Sequence, residues 1–125
     1  MIEIKRSAED YLEMILMLTQ EKGYARSIDV AAELNVTKPS VSHAVKRLRE
    51  NGYLTMDVDN SLHLTESGRE IAERMYQRHQ LLTRFLTALG VDETTAREDA
   101  CKMEHDLSDE SFAAICKHAE ERGLA

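Results

Sequence analysis

Cys101, Glu104 and His105 sit in the stretch CKMEH at spacings of three and four residues. A helix through it presents a thiol, a carboxylate and an imidazole from one face. Divalent transition metals are bound by that mixture of donors. Asp10 and Glu13, three residues apart in AEDYLEMIL, offer oxygens beside an otherwise apolar surface, and His79 is a lone imidazole bracketed by apolar residues in MYQRHQLLTRF. Six donor-type residues on three segments could therefore converge on one or two metal ions. Each also has a plainer reading. A Glu-His pair on a helix is usually solvated, a single cysteine more often packs in a core, and an Asp near a helix start complements the dipole.

A second group of residues has the chemistry to contact nucleic acid. In TKPSVSHAVKRL the candidates are Thr37, Lys38, Pro39, Ser40, Ser42, His43, Lys46 and Arg47. Ser40, Ser42, His43 and Lys46 face outward if Val41, Val45 and Leu48 form the buried side. Side chains near the start of such a helix reach base edges in the major groove, while Lys38 and Arg47 are placed for phosphates. The plainer alternative is a solvated charged face, and His43 is as readily a solvated polar residue as a base contact.

These residues need elements to hold them. Apolar residues recur at three and four for most of the length, with one proline and five glycines, so the chain reads as mainly helical. The first helix runs from about Ser7, its N-cap, to Glu21, and Gly23 ends it. Ser27 caps a short helix, IDVAAELN, and Thr37 caps a third, with Pro39 in its first turn where a missing N–H costs little. The period then changes: 53–58 and 61–64 read as strands joined at Asp59-Asn60, a hairpin with Asn60 and Ser61 at its tip. Thr65 restarts a long helix to Gly90, and two more follow, from about Glu93 to Asp106 and Asp109 to Glu121. Short helix, turn, second helix and hairpin make a winged helix-turn-helix. The expected organisation is therefore a DNA-binding domain over 1–64 and a helical metal-binding and dimerisation domain over 65–125.

A length of 125 residues leaves little room for a large catalytic domain, and neither a zinc-protease motif nor a substrate pocket is legible, so an enzyme is not expected. Two cysteines are too few for a disulfide scaffold. With no apolar run long enough to span a bilayer and no signal-peptide pattern, the expected location is cytoplasmic, away from membranes. The net charge of -7 is unevenly spread. Residues 1–53 carry eight basic and eight acidic side chains, whereas 91–125 carry four and ten, so the last third holds most of the excess. Lys38, Lys46, Arg47 and Arg49 against Glu50 form a local positive stripe, which fits phosphate contact by one element and a different task for the rest.

The stretches AEDYLEMIL, EKGYARSIDVAAELNVTKPSVSHAVKRLRENGYL, LTESGREIA, RHQLLTRFLTALGVDE and CKMEHDLSDES run through almost the whole chain. In them the sequence resembles the diphtheria toxin repressor family of metal-dependent regulators, above all its short manganese transport regulator branch. The resemblance implies a homodimer whose bound metal fixes the spacing of two DNA-reading heads on a palindromic double-stranded operator, repressing metal-uptake genes. It also implies that Asp10, Glu13, His79, Cys101, Glu104 and His105 fall on metal-ligand positions. Manganese-responsive members generally place a glutamate where Cys101 stands; iron-responsive members pair a cysteine there with a methionine at the position of Asp10. This donor set is a hybrid. Mn(II) or Fe(II) is the expected cofactor, with Co(II) or Zn(II) open to a site containing a thiolate. The chain is expected to lack the SH3-like extension of longer members, and Thr83 and Arg97 occupy positions where their ancillary site needs a carboxylate and an imidazole.

Dimerisation is also read from apolar surface. Leu81, Leu82, Phe85, Leu86, Leu89, Phe112, Ile115 and Cys116 continue beyond what one small head can cover. His63 and His118 read as solvated. The rival class is a winged-helix regulator that senses an organic ligand or redox state, for which the donor residues would be incidental.

Overall fold

The polypeptide alternates strong helix formers with well-placed caps, and the computed structural model, which describes residues 6–123, follows that grammar. The elements are α1 (Arg6–Lys22), α2 (Ser27–Leu34), α3 (Lys38–Glu50), β1 (Leu54–Met56), β2 (Leu62–Leu64), α4 (Glu66–Ala88), α5 (Glu93–Asp106) and α6 (Asp109–Glu121). They form two compact units that divide after Glu73, inside α4.

In the first unit α1 packs on α2, α3 and β2, and α3 packs on β1. Leu12, Ile15 and Leu16 of α1, Val30 of α2, Val41, Val45 and Leu48 of α3, and Leu54 and Leu62 of the strands are all buried. The strands pair antiparallel, Leu54 with Leu64 and Met56 with Leu62. This is the expected winged helix-turn-helix: α2 and α3 joined by a tight turn with Asn35 in the left-handed region, followed by a two-stranded wing.

The caps account for most element boundaries. The Thr37 hydroxyl accepts from the Ser40 N–H at 3.3 Å with Pro39 in the first turn of α3, and the Thr65 hydroxyl accepts from the Gly68 N–H at 3.2 Å to start α4. Two expected caps do not form. Ser7 lies inside α1, which is already helical at Arg6. Ser27 is the first residue of α2 rather than its cap; Arg26 takes the N-cap position, and the Asp29 carboxylate reaches back to accept its N–H at 3.3 Å. Arg26 is extended because it bridges to Ser61, while the Leu62 N–H donates to the Ala25 carbonyl at 2.7 Å. Ser61 is consequently buried at the base of the wing, not exposed at its tip as expected. The tip is formed by Val58, Asp59 and Asn60, the last at φ 67°, and the strands are shorter than the sequence pattern proposed because the turn takes in Asp57 to Ser61.

In the second unit the buried positions trace one stripe on each helix: Met75, Arg78 and Leu82 on α4, and Ala96, Ala100 and Glu104 on α5. Each stripe contains a charged residue, and a buried charge is stable only where its surroundings satisfy it. Leu81, Phe85, Leu86, Phe112, Ile115 and Cys116 are half-buried, and Leu89 is exposed.

Gly68 ties the start of α4 to the loop after α3. A Cβ at this position would lie 2.1 Å from the Tyr53 carbonyl oxygen, a backbone atom that cannot swing aside. Alanine favours a helix by about 1 kcal/mol over glycine, yet Gly68→Ala should lower stability by about 2 kcal/mol net, because overpacking against backbone outweighs propensity. Urea unfolding should show the lower midpoint; an unchanged or raised midpoint would contradict this account of the glycine.

Candidate metal centre and nucleic-acid interface

His79 is carried by the middle of α4, and α5 carries Cys101, Glu104 and His105 over its last two turns. The helical spacing seen in the sequence is therefore realised, and within the second unit these four residues meet at one carboxylate. Glu104 has no solvent exposure. Its Oε2 lies 3.1 Å from His79 Nδ1, and its Oε1 lies 3.4 Å from His105 Nε2. The Cys101 sulfur is 3.7 Å from the same His79 Nδ1, and Cys101 is exposed while His79 is half-buried.

One nitrogen thus faces both a sulfur and an oxygen. The contact with Cys101, and next the hydrogen bond to Glu104, favour the imidazolium and push the His79 pKa up from 6.5 to about 10, against the opposing effect of burial. A proton on Nδ1 does electrostatically what a cation at this point would do. It attracts both the carboxylate oxygen and the sulfur that face it.

The donor set fits a divalent ion. An imidazole nitrogen, a thiol sulfur and a carboxylate oxygen, one each from His79, Cys101 and Glu104, lie within 4.8 Å of one another. Metal–donor bonds of about 2.0–2.3 Å need donors at such separations, with small side-chain adjustments. The mixture suits the divalent transition metals, and the sulfur biases it from the hard oxygen-only sites of Mg(II) and Ca(II). Asp10 and Glu13 stand one turn apart on α1 of the first unit, Asp10 half-buried and Glu13 buried.

Sequence reasoning missed Arg78. It immediately precedes His79 and is buried, donating through Nη1 to the carbonyl oxygens of Glu104 at 3.0 Å and Leu107 at 2.7 Å, and through Nη2 to the Asp109 carboxylate. Its guanidinium also stacks over the Phe112 ring, 5.0 Å from the centroid. The available signal was its position three residues after Met75 and four before Leu82, on the apolar stripe of α4.

The nucleic-acid candidates share one exposed surface. Thr37, Lys38, Pro39, Ser40, Ser42, His43, Lys46 and Arg47 are all exposed, while Val41, Val45 and Leu48 bury the opposite side of α3. The Thr37 and Ser40 hydroxyls are 2.7 Å apart and partly committed to the helix cap, which leaves Ser42, His43 and Lys46 as the less encumbered polar groups. Arg49, not among the expected contacts, is exposed as well and lines a shallow groove with Lys46, Glu50, Leu54, Thr55 and Met56, between α3 and β1. The wing is different in character. Asp57 pairs with His63 at 2.7 Å, and the Asp59 carboxylate accepts from the Ser61 N–H and hydroxyl, which hold its pKa below the usual value.

Known proteins divide along the same line. Residues 3–62 match the family described as the iron dependent repressor N-terminal DNA binding domain, and residues 65–122 match the iron dependent repressor metal binding and dimerisation domain. Among solved structures, a manganese-dependent transcriptional repressor in complex with manganese is 30% identical with a TM-score of 0.81, covering 94% of this chain and 53% of its own. IdeR from T. acidophilum is 27% identical with a TM-score of 0.80, covering 98% of this chain and 56% of its own. The manganese regulator SloR is 28% identical with a TM-score of 0.79, covering 90% and 53%. The chain spans about half the length of these three. Both halves of the family's architecture occur here in order, with a donor cluster in the second and a cationic helix face in the first, and the chain belongs to the iron-dependent repressor family.

Proposed function

We propose that this protein is a metal-responsive DNA-binding transcriptional repressor of metal-ion uptake genes, with Mn(II) or Fe(II) as its co-repressor and Co(II) or Zn(II) as further ions the site accepts. The observation that carries the reading is the convergence of His79, Cys101, Glu104 and His105 on a fully buried carboxylate, in the part of the chain that matches a metal binding and dimerisation domain. Asp10 and Glu13 are proposed as further ligands on the strength of their type and spacing on α1. The proposed assembly is a homodimer on a palindromic duplex, using the half-buried apolar residues of α4 and α6. The proposed location is the cytoplasm; among the described residues no helix is long and apolar enough to cross a membrane.

A bound ion supplies the positive charge that lets several carboxylates and a thiolate sit together. The rest is done by the chain. His79 gives up the Nδ1 proton and Cys101 its thiol proton, Glu104 and His105 present their donors from adjacent positions on α5, and α3 presents Ser42, His43, Lys46 and Arg47 to the duplex. Metal shifts the population toward a DNA-competent conformation only by its differential affinity for that conformation.

Three outcomes follow from this reading. His79→Ala and Glu104→Ala should each weaken Mn(II) or Co(II) binding by more than about a hundredfold and remove metal-stimulated binding to a duplex selected from a randomised pool, with helical content intact by circular dichroism. Wild-type metal dependence in both variants would sink the proposal. Lys46→Ala should weaken that duplex binding roughly tenfold and reduce the slope of log affinity against log salt by about one, with the metal titration unmoved. Equal loss of metal affinity would place Lys46 elsewhere.

The third concerns protons. In the metal-free protein His79 titrates near 10, so at neutral pH an ion must displace its proton. Metal affinity should therefore climb by about tenfold per pH unit between 7 and 9 from this group alone. Stability of the metal-free protein changes in the opposite sense. The raised His79 pKa contributes fully below 6.5, and the contribution is lost as pH rises toward 10. An indicator-dye titration should count at least about one proton released per ion at pH 7.5; no release would refute the assignment of His79.

A further inference from the structure

Glu104 is held at two points by consecutive residues of α4. His79 meets its carboxylate, and Arg78 holds its main-chain carbonyl. The same guanidinium takes the Leu107 carbonyl at the end of α5 and the Asp109 carboxylate in the first turn of α6, and stacks on Phe112 one turn later. Carbonyls at a helix C-terminus have no partner within the helix, so α5 ends against this cation, and α6 begins on it. The fork is fixed in plane, which sets the height of Glu104 along α4 more narrowly than apolar packing of Ala96 and Ala100 would.

We infer that Arg78 is a positioning residue for the metal site: it donates to the main-chain carbonyls of Glu104 and Leu107 and to the Asp109 carboxylate, and its grip on the Glu104 carbonyl fixes where the Glu104 carboxylate stands relative to His79 and Cys101. The α6 turn, through Asp109 and Phe112, keeps the guanidinium in place. This inference rests on the proposed metal site. It goes beyond it by assigning a determinant of affinity to a residue outside the ligand set.

The test is a Co(II) titration of the full chain, with thiolate-to-metal charge-transfer absorbance as the readout, on the wild type, Arg78→Lys, Arg78→Met and Leu82→Ala. Leu82 is buried on the same stripe of α4, so its truncation reports the effect of lost stability alone. Lysine keeps the charge but cannot span both carbonyls and the carboxylate. Both Arg78 variants should bind Co(II) at least tenfold more weakly than wild type at a temperature below their own unfolding midpoints, and Leu82→Ala within about twofold of wild type. If Arg78→Met does not fold, Arg78→Lys decides. Wild-type affinity in folded Arg78→Lys overturns the inference, as does an equal loss in Leu82→Ala. A wild-type protein that binds no Co(II), Mn(II) or Fe(II) would instead overturn the metal reading itself, a separate result from a bound but indifferent Arg78→Lys.

Discussion

A carboxylate with no access to water is the constraint around which the second unit is arranged. Removing an ionised carboxylate from solvent costs several kcal/mol unless charges and hydrogen-bond donors replace the lost hydration. At Glu104 two imidazoles face the two oxygens. Apolar side chains of similar volume would stabilise the same core with less penalty. A fold that retains the carboxylate there is one in which its charge has a use, and a cation is the partner that the neighbouring nitrogen and sulfur also accept.

The first unit solves a different problem, gathering a cationic helix face within a chain whose net charge is -7. It does so by segregation. Four basic residues cluster on α3 and its last turn, its apolar side is consumed by the core, and the acidic surplus is displaced to the last third of the sequence. The wing does not share this polarity. Its turn carries Asp57 and Asp59 without a Lys or Arg, and each carboxylate is engaged locally, one with His63 and the other with Ser61. The cationic surface therefore lies on α3 and its flank with β1, where Lys46 and Arg49 border the same groove.

Much of this was legible in the chain because it depends on local rules. Helix periodicity, the Thr37 cap, Pro39 in a first turn and the change of period after Tyr53 are set within a few residues, and they gave the elements within a residue or two. The donors on α5 were legible for the same reason, since i, i+3 and i+4 fall on one face of any helix. What escaped detection was set by partners distant in sequence. Arg26 is a cap and not a charged surface residue because Ser61, far along the chain, pairs with it. Arg78 resembles one more helix cation until Leu107 and Asp109 are brought to it. Ser61 reads as a turn residue, and only the closure against Ala25 and Arg26 buries it.

That closure has a further effect. A two-stranded ribbon offers two rows of unpaired main-chain groups, and such rows recruit strands from other molecules. Along β2 the outer row is partly spent already, because the Leu62 N–H is given to Ala25 and Ser61 is bridged to Arg26. The wing is thereby shielded on that flank from edge-to-edge joining with the ribbon of another molecule.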